Sequence, residues 1–498
     1  MLSATKTADS ADRFIMSERY LLTSNHQLRG WLFNLYALVD TSTHRIDDLS
    51  VAEFNVLARC DGAHDVQPDD EHADIFRRYL ESAVIERVDE RGATGASATA
   101  SLLAPEQEYR LYPCWRFRDI NWAMTGRCNF NCRHCFAAKD AHPTVDEPTL
   151  AQCLDFVDQL ADCGVDHVWL TGGEPLMRSD ILDITARIAE KGILLEEFGT
   201  NASLLTAEFL DQLEKQGHDP QFNVSFDGVG HHDWMRGVPD TEERTLAGIE
   251  LLKSHGFRVK VQSCICRENL DALRETTELL ARMHVDELRV IRVVESKRWM
   301  ETTPEQTLSL EDYYRSMLDY AQWYLASAMP MQLDIWGIVQ IQPDSRWCRI
   351  VPVHHVTPKK DATQPICGDA RQMPFVGCDG EISLCNQISG YMKSIGTSWG
   401  NAYRDPLAQL LSDSAFIDQL LCTWGKVRAH NPECSQCEFK QLCNCGCRAV
   451  ALATTGDIMG KDISQCVFFK GGWYDAYREL AVQHGLQGMG VMRAKENI

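Results

Sequence analysis

Between residues 115 and 310, short apolar runs alternate with longer segments whose apolar positions follow the helical period. The runs predict strands at 119–125, 166–171, 194–200, 221–227, 258–264 and 287–294. The segments between them predict helices such as Thr149–Ala161, Ile181–Lys191 and Leu246–His255. Six strand–helix units in series imply a parallel sheet with right-handed crossovers, either doubly wound or curled into a barrel. A barrel places its chemistry on the loops that follow the strands. Cys128 follows the first strand, Gly172-Gly173-Glu174-Pro175 the second, and Thr200-Asn201 ends the third. Ser225 and Asp227 close the fourth, and Arg267 and Asn269 follow the fifth.

Upstream, residues 15–95 read as a small α+β unit. Strand-like stretches at Arg19–Ser24 and Trp31–Val39 lead to a turn at Asp40–His44. A helix then begins after Ser50, with Glu53 three residues on as a capping box. A second helix (Ile75–Ala83) runs into a short strand, and the small, polar Gly92–Ala100 stretch reads as part of a linker over 96–114. Residues 311–345 read as a helical bridge, 346–470 as a loop-rich cysteine domain, and 471–498 as a helix (Trp473–His484) with a tail.

Twenty cysteines in 498 residues would suggest disulfides in a small secreted protein. Here the N-terminus has no apolar signal core, and the cysteines bunch at metal-ligand spacings. A reducing cytoplasm and soft-metal ligation fit that usage. The longest early apolar stretch, Trp31–Val39, is too short to span a bilayer. A formal charge of −22 argues against a nucleic-acid backbone as partner.

In CNFNCRHC, Cys128, Cys132 and Cys135 can hold three irons of a 4Fe–4S cluster and leave the fourth open to a small molecule, whereas a ferredoxin site uses four cysteines. A zinc site lacking one ligand is the plainer alternative. Cys367-x12-Gly380-x4-Cys385 and Cys434-x2-Cys437-x5-Cys443-x3-Cys447, with Cys466 after a gap, form a second array. Paired zinc ribbons, with a metal-stabilised winged-helix regulator around them, are its plainer reading.

The cysteine triplet, LTGGEP, FGTN and VSFDG together resemble the radical S-adenosylmethionine superfamily; His134 stands where that family usually has an aromatic residue. The resemblance implies a partial (β/α)6 TIM-type barrel and reductive cleavage of S-adenosylmethionine to a 5′-deoxyadenosyl radical. It implies cofactor contacts from Gly172, Gly173, Glu174, Thr200, Asn201, Ser225, Asp227 and Arg236, with Arg244 competing for the carboxylate. The second array resembles the SPASM domain of peptide maturases. That resemblance implies two auxiliary 4Fe–4S clusters, three in all with the barrel's own. Cys367, Cys385 and Cys447 would serve one, with Cys348 as its fourth ligand and Cys378 as rival. Cys434, Cys437, Cys443 and Cys466 would serve the other, leaving Cys445 unplaced.

The N-terminal order resembles the winged-helix domain that binds leader peptides, with a plain cap domain or a DNA-binding winged helix as alternatives. Taken as a leader-binding domain, it implies that an edge strand within 20–39 pairs with an extended peptide. The implied function is oxidative cross-linking of a ribosomally made precursor peptide, through a thioether or carbon–carbon bond, fed by a flavodoxin or ferredoxin. Maturation of a folded protein and peptide epimerisation remain alternatives. Cys60, Cys114, Cys153, Cys163 and Cys422 read as buried structural thiols, while Cys264 or Cys266 stands near the rim. His354-His355, Trp299, Trp323 and Trp336 read as core or surface.

Overall fold

The computed structural model describes residues 19–43, 45–66, 72–88, 103–135, 147–353, 362–363, 365–367, 373–389, 398–420 and 422–486. The expectations for the extreme N-terminus, Gly92–Ala100, His354-His355 and the C-terminal tail fall outside them. The chain divides after Trp115 into two compact units.

The first unit holds strands β1 (Arg19–Leu22), β2 (His26–Trp31), β3 (Leu35–Asp40) and β4 (Arg45–Leu49), then helix α1 (Val51–Leu57), β5 (Asp61–Asp65), helix α2 (Ala73–Glu81), β6 (Ile85–Arg87) and β7 (Arg110–Leu111). Ser50 caps α1, and Glu53 returns a carboxylate to the Ser50 N–H, completing the capping box. Tyr20, Leu22, Leu28, Leu38, Leu57, Phe76 and Ile85 share one core. The stretch Trp31–Val39 is not one strand. A turn at Leu32–Asn34, with Phe33 at φ 64°, folds β3 back on β2 from Trp31↔Leu35 to His26↔Asp40. Part of the expected linker also joins the fold, because β7 pairs with β2.

The strand orders are β5-β1-β6 and β4-β3-β2-β7. This corrects the expectation of an edge strand within residues 20–39: each strand there has neighbours on both sides. Among the described residues, the outermost strands are β4 to β7.

The second unit is built on an eleven-stranded sheet. Its strands are β8 (Asp119–Ala123), β9 (His167–Thr171), β10 (Leu194–Thr200), β11 (Gln221–Ser225), β12 (Val259–Ile265) and β13 (Glu287–Arg292), parallel and side by side in chain order. These are the six expected strands of the partial barrel. The 311–345 segment differs from the expected bridge. After its helix (Leu310–Ala326) come β14 (Gln332–Ile335) and β15 (Val339–Gln342), then β16 (Trp347–Ile350). β14 extends the parallel sheet, and β15 and β16 return antiparallel. Beyond β8, the sheet continues through β17 (Phe375–Val376) and β18 (Ile382–Ser383).

Alternate residues divide the sheet into two faces. Val168, Leu170, Phe198, Phe222, Val224, Val261, Leu288 and Val290 are fully buried. This face packs on helices; Phe198, for example, meets Phe209 of the 207–215 helix. The other face is polar. Asn223 Nδ2 donates to Glu197 at 2.9 Å, Lys260 pairs with the same carboxylate, and Arg289 pairs with Asp334 at 2.8 Å.

Candidate active site

The loop leaving β8 carries Cys128, Cys132 and Cys135, all partly exposed. Burial raises the Cys128 thiol to about 11; the Phe130 N–H works against this, while Cys132, Glu174 and Cys135 add to it. Three thiols crowded enough to repel one another as thiolates are a fit donor set for a cationic iron cluster, which removes that repulsion.

The loop after β9 is zipped to this one through backbone. Gly173 N–H donates to Thr125 O and Glu174 N–H to Arg127 O, each at 2.8 Å. A Cβ on Gly172 would lie 2.5 Å from Thr125 O, at a φ of +142° that only glycine adopts readily. A Cβ on Gly173 would overlap the Arg127 carbonyl. The side of each glycine where a Cβ would stand is therefore taken up by the cysteine loop itself.

Glu174 is completely buried. Its carboxylate accepts from Thr200 Oγ1 at 2.8 Å, Asn201 N at 2.7 Å and Leu176 N at 3.2 Å. Burial pushes it up to about 7 despite those donors. Asn201 Nδ2 donates to Asn129 Oδ1 at 2.8 Å, and Asn129 Nδ2 donates to Ser203 Oγ at 2.9 Å. Glu174, Thr200 and Asn201 thus join three strand ends into one rim. Ser225 ends β11, half-buried on the polar face beside Gln262 of β12.

Asp227 is fully buried and forms an ion pair with Arg236 Nε at 2.7 Å. Burial pushes its carboxyl up, but Arg236, with His134 and His232, outweighs that and holds it low. Cys264 N–H donates to Asp227 Oδ1 at 3.0 Å, and Asn269 Nδ2 donates to Asp227 O at 2.7 Å. Asp227 and Asn269 are braces. Of the two rim cysteines, Cys266 is wholly buried and Cys264 is partly exposed on the polar face. Arg244 is partly turned outward, bonding Asp240 O at 2.9 Å.

Residues 122–280 match the family model described as the radical SAM superfamily. The chain carries a radical SAM domain. It is 28% identical to an AdoMet-dependent heme synthase of Methanosarcina barkeri, over 71% of this chain and 97% of that one. It is 24% identical to the PqqA peptide cyclase of Bradyrhizobium diazoefficiens, over 68% of this chain and 83% of that one. In fold it is similar to Streptococcus suis SuiB bound to the precursor peptide SuiA, with a TM-score of 0.61, 15% identity and coverage of 90% of this chain and 99% of that one. A radical SAM domain binds S-adenosylmethionine and an iron–sulfur cluster, and the loop that carries Cys128, Cys132 and Cys135 falls within the matched residues.

Outside the radical SAM domain the C-terminal cysteines fall into two groups. Cys385 is raised to about 12 by burial and by Cys447, with Cys367 contributing. Cys434, Cys437, Cys443 and Cys466 line one pocket together with Cys445, between Arg428, Lys440, Lys461 and Lys470. Cys445 sits at φ 66°, and its N–H donates to Cys443 Sγ at 3.3 Å. Cys348 lies on the buried face of β16, and burial raises its thiol to about 11. The rival Cys378 is buried with Ala123 and Phe375.

Sequence reasoning missed Asn129, the Thr125–Glu147 hydrogen bond beneath the loop, and the polar face of the barrel. The last had a signal: Lys260 and Gln262 alternate with Val259 and Val261 along one strand.

Among the described residues, no helix is long and apolar enough to cross a membrane.

Proposed function

We propose that this protein matures a ribosomally made precursor peptide by oxidative cross-linking. The carrying observation is the reach of the fold likeness. A match over 90% of the chain is longer than the second unit alone, so it extends into the first, and the matching protein is described with its precursor peptide bound. On this reading the first unit captures a leader segment by adding it to a free sheet edge, which leaves β4 to β7 as the candidates.

When bound, the cluster and S-adenosylmethionine would supply the chemistry for taking one hydrogen atom from a substrate carbon, and auxiliary clusters would offer a sink for the second electron. The residues of this chain do the holding. Gly172 and Gly173 seat their loop against the cysteine loop, and Glu174 fixes the ends of β9 and β10. Ser225, at the end of β11, is the candidate contact for the cofactor carboxylate. Cys367, Cys385 and Cys447 would hold one auxiliary cluster, and Cys434, Cys437, Cys443 and Cys466 the other. A new cross-link costs the peptide two hydrogens: one leaves in 5′-deoxyadenosine, the other as a proton with its electron passed on.

A second reading, modification of a tetrapyrrole, is favoured by the relative from Methanosarcina barkeri. The two separate on the first unit. Deleting it should abolish turnover of a peptide by removing capture, while a tetrapyrrole enzyme would keep its activity. Anaerobically reconstituted protein should carry about twelve irons if three 4Fe–4S clusters are present; an iron content near zero contradicts both readings.

A further inference from the structure

The helix His232–Arg236 is fastened to the cysteine loop along its C-terminal end. Asn131 N–H donates to Arg236 O at 3.0 Å and Arg133 N–H to Met235 O at 2.9 Å. Arg133 Nε donates to Trp234 O at 2.9 Å. A Cβ on Gly237, at φ +68°, would collide with Asn131 O, so the helix ends where the loop passes over it. These bonds deliver the Arg236 guanidinium to the loop's middle cysteine. Its Nη1 donates to Cys132 Sγ at 3.6 Å, within the reach of an N–H···S bond.

The guanidinium is held from the other side by Asp227, at 2.7 Å from Nε. Asp227 is anchored in turn by the Cys264 N–H at 3.0 Å. Arg236 is 6% exposed and Asp227 1%, so this charge pair sits out of water, where its field reaches Cys132 with little screening. With Nε and Nη1 engaged in this way, Arg236 faces the cluster ligand instead of standing free for a bidentate carboxylate.

We infer that Arg236, aimed by Asp227, is a positioning residue that sets the reduction potential of the radical SAM cluster through Cys132. An electron added to the cluster increases negative charge on its thiolates. A cationic N–H donor at one sulfur stabilises that reduced state and raises the potential. Asp227 limits the effect by offsetting part of the arginine's charge. The inference rests on Cys128, Cys132 and Cys135 holding the cluster, and does not depend on which substrate is modified.

The test is a potentiometric titration followed by electron paramagnetic resonance on the full reconstituted chain, tracking the signal that changes when S-adenosylmethionine is added. Arg236→Gln alone would strand a buried Asp227 carboxylate, so it is paired with Asp227→Asn; Arg236→Lys is measured beside it. The double variant should keep its iron and titrate at a more negative potential than the wild type, with the lysine variant between them. If only Arg236→Lys loads its cluster, a lowered potential there supports the inference and a wild-type value overturns it. A wild-type potential in the double variant also overturns it. So does loss of the signal from both variants, because Arg236 would then build the loop without tuning the cluster. A wild-type protein with no signal responsive to S-adenosylmethionine overturns the cluster assignment, and the inference with it.

Discussion

The carboxylate of Glu174 accepts the backbone N–H of Asn201 at 2.7 Å, so the loop after β9 fixes the end of β10 from inside the protein. Glu174→Gln keeps the shape but presents an amide N–H₂ to groups that themselves donate. A hydrogen bond to a charged acceptor contributes about 1.5–3 kcal/mol, so affinity for S-adenosylmethionine should fall by about tenfold or more. Isothermal titration on the reconstituted variant checks this, and unchanged affinity would show that the rim does not depend on the brace.

Gly173→Ala places a methyl group against the Arg127 carbonyl, and backbone cannot swing aside as a side chain can. The variant should fold but lose the cluster at Cys128, Cys132 and Cys135, read as about four irons fewer per chain. Gly217→Ala is the control. It has open space around it and a φ of +83°, so it should cost only about 1–2 kcal/mol of backbone strain and keep its iron.

On the polar face, Lys260 and Glu197 are both more than nine-tenths buried. Removing one partner leaves a buried charge, so Glu197→Ala should destabilise the barrel by about 3–5 kcal/mol. The paired change Glu197→Gln with Lys260→Met should cost markedly less. Thermal melts of the three proteins give the order directly.

His218 supplies a pH dependence of known sign. Burial holds its imidazole below the usual histidine range, against a hydrogen bond to Thr185 O at 2.9 Å. The folded state therefore resists a proton that the unfolded chain takes up near pH 6.5. Its contribution is present above that pH and is lost as the pH falls below it. His218→Gln should lose less melting temperature than the wild type between pH 7 and pH 5.

The six barrel strands were legible because each is a short apolar run bounded by polar loops, and the cysteine spacings needed no fold to be read. Residues that act through backbone were not. Nothing in the string GGEP says that the Cβ side of Gly173 is occupied by Arg127, or that Glu174 turns inward to Thr200 and Asn201. β14 to β16 were hidden because four-residue strands carry too little alternation to separate from a loop. The edge expected within 20–39 failed for a related reason. Whether a strand is an edge depends on partners distant in sequence, here β5 and β6 for β1 and β7 for β2.

The central claim is that the radical chemistry cross-links a peptide. The direct measurement incubates the reconstituted full chain with S-adenosylmethionine, a reductant and each candidate precursor peptide drawn from short open reading frames beside its gene, and follows both products by mass spectrometry. The account predicts 5′-deoxyadenosine together with a peptide lighter by two hydrogens for each cross-link, and neither product from a Cys132→Ala variant. Release of 5′-deoxyadenosine with the peptide unchanged in mass would contradict it.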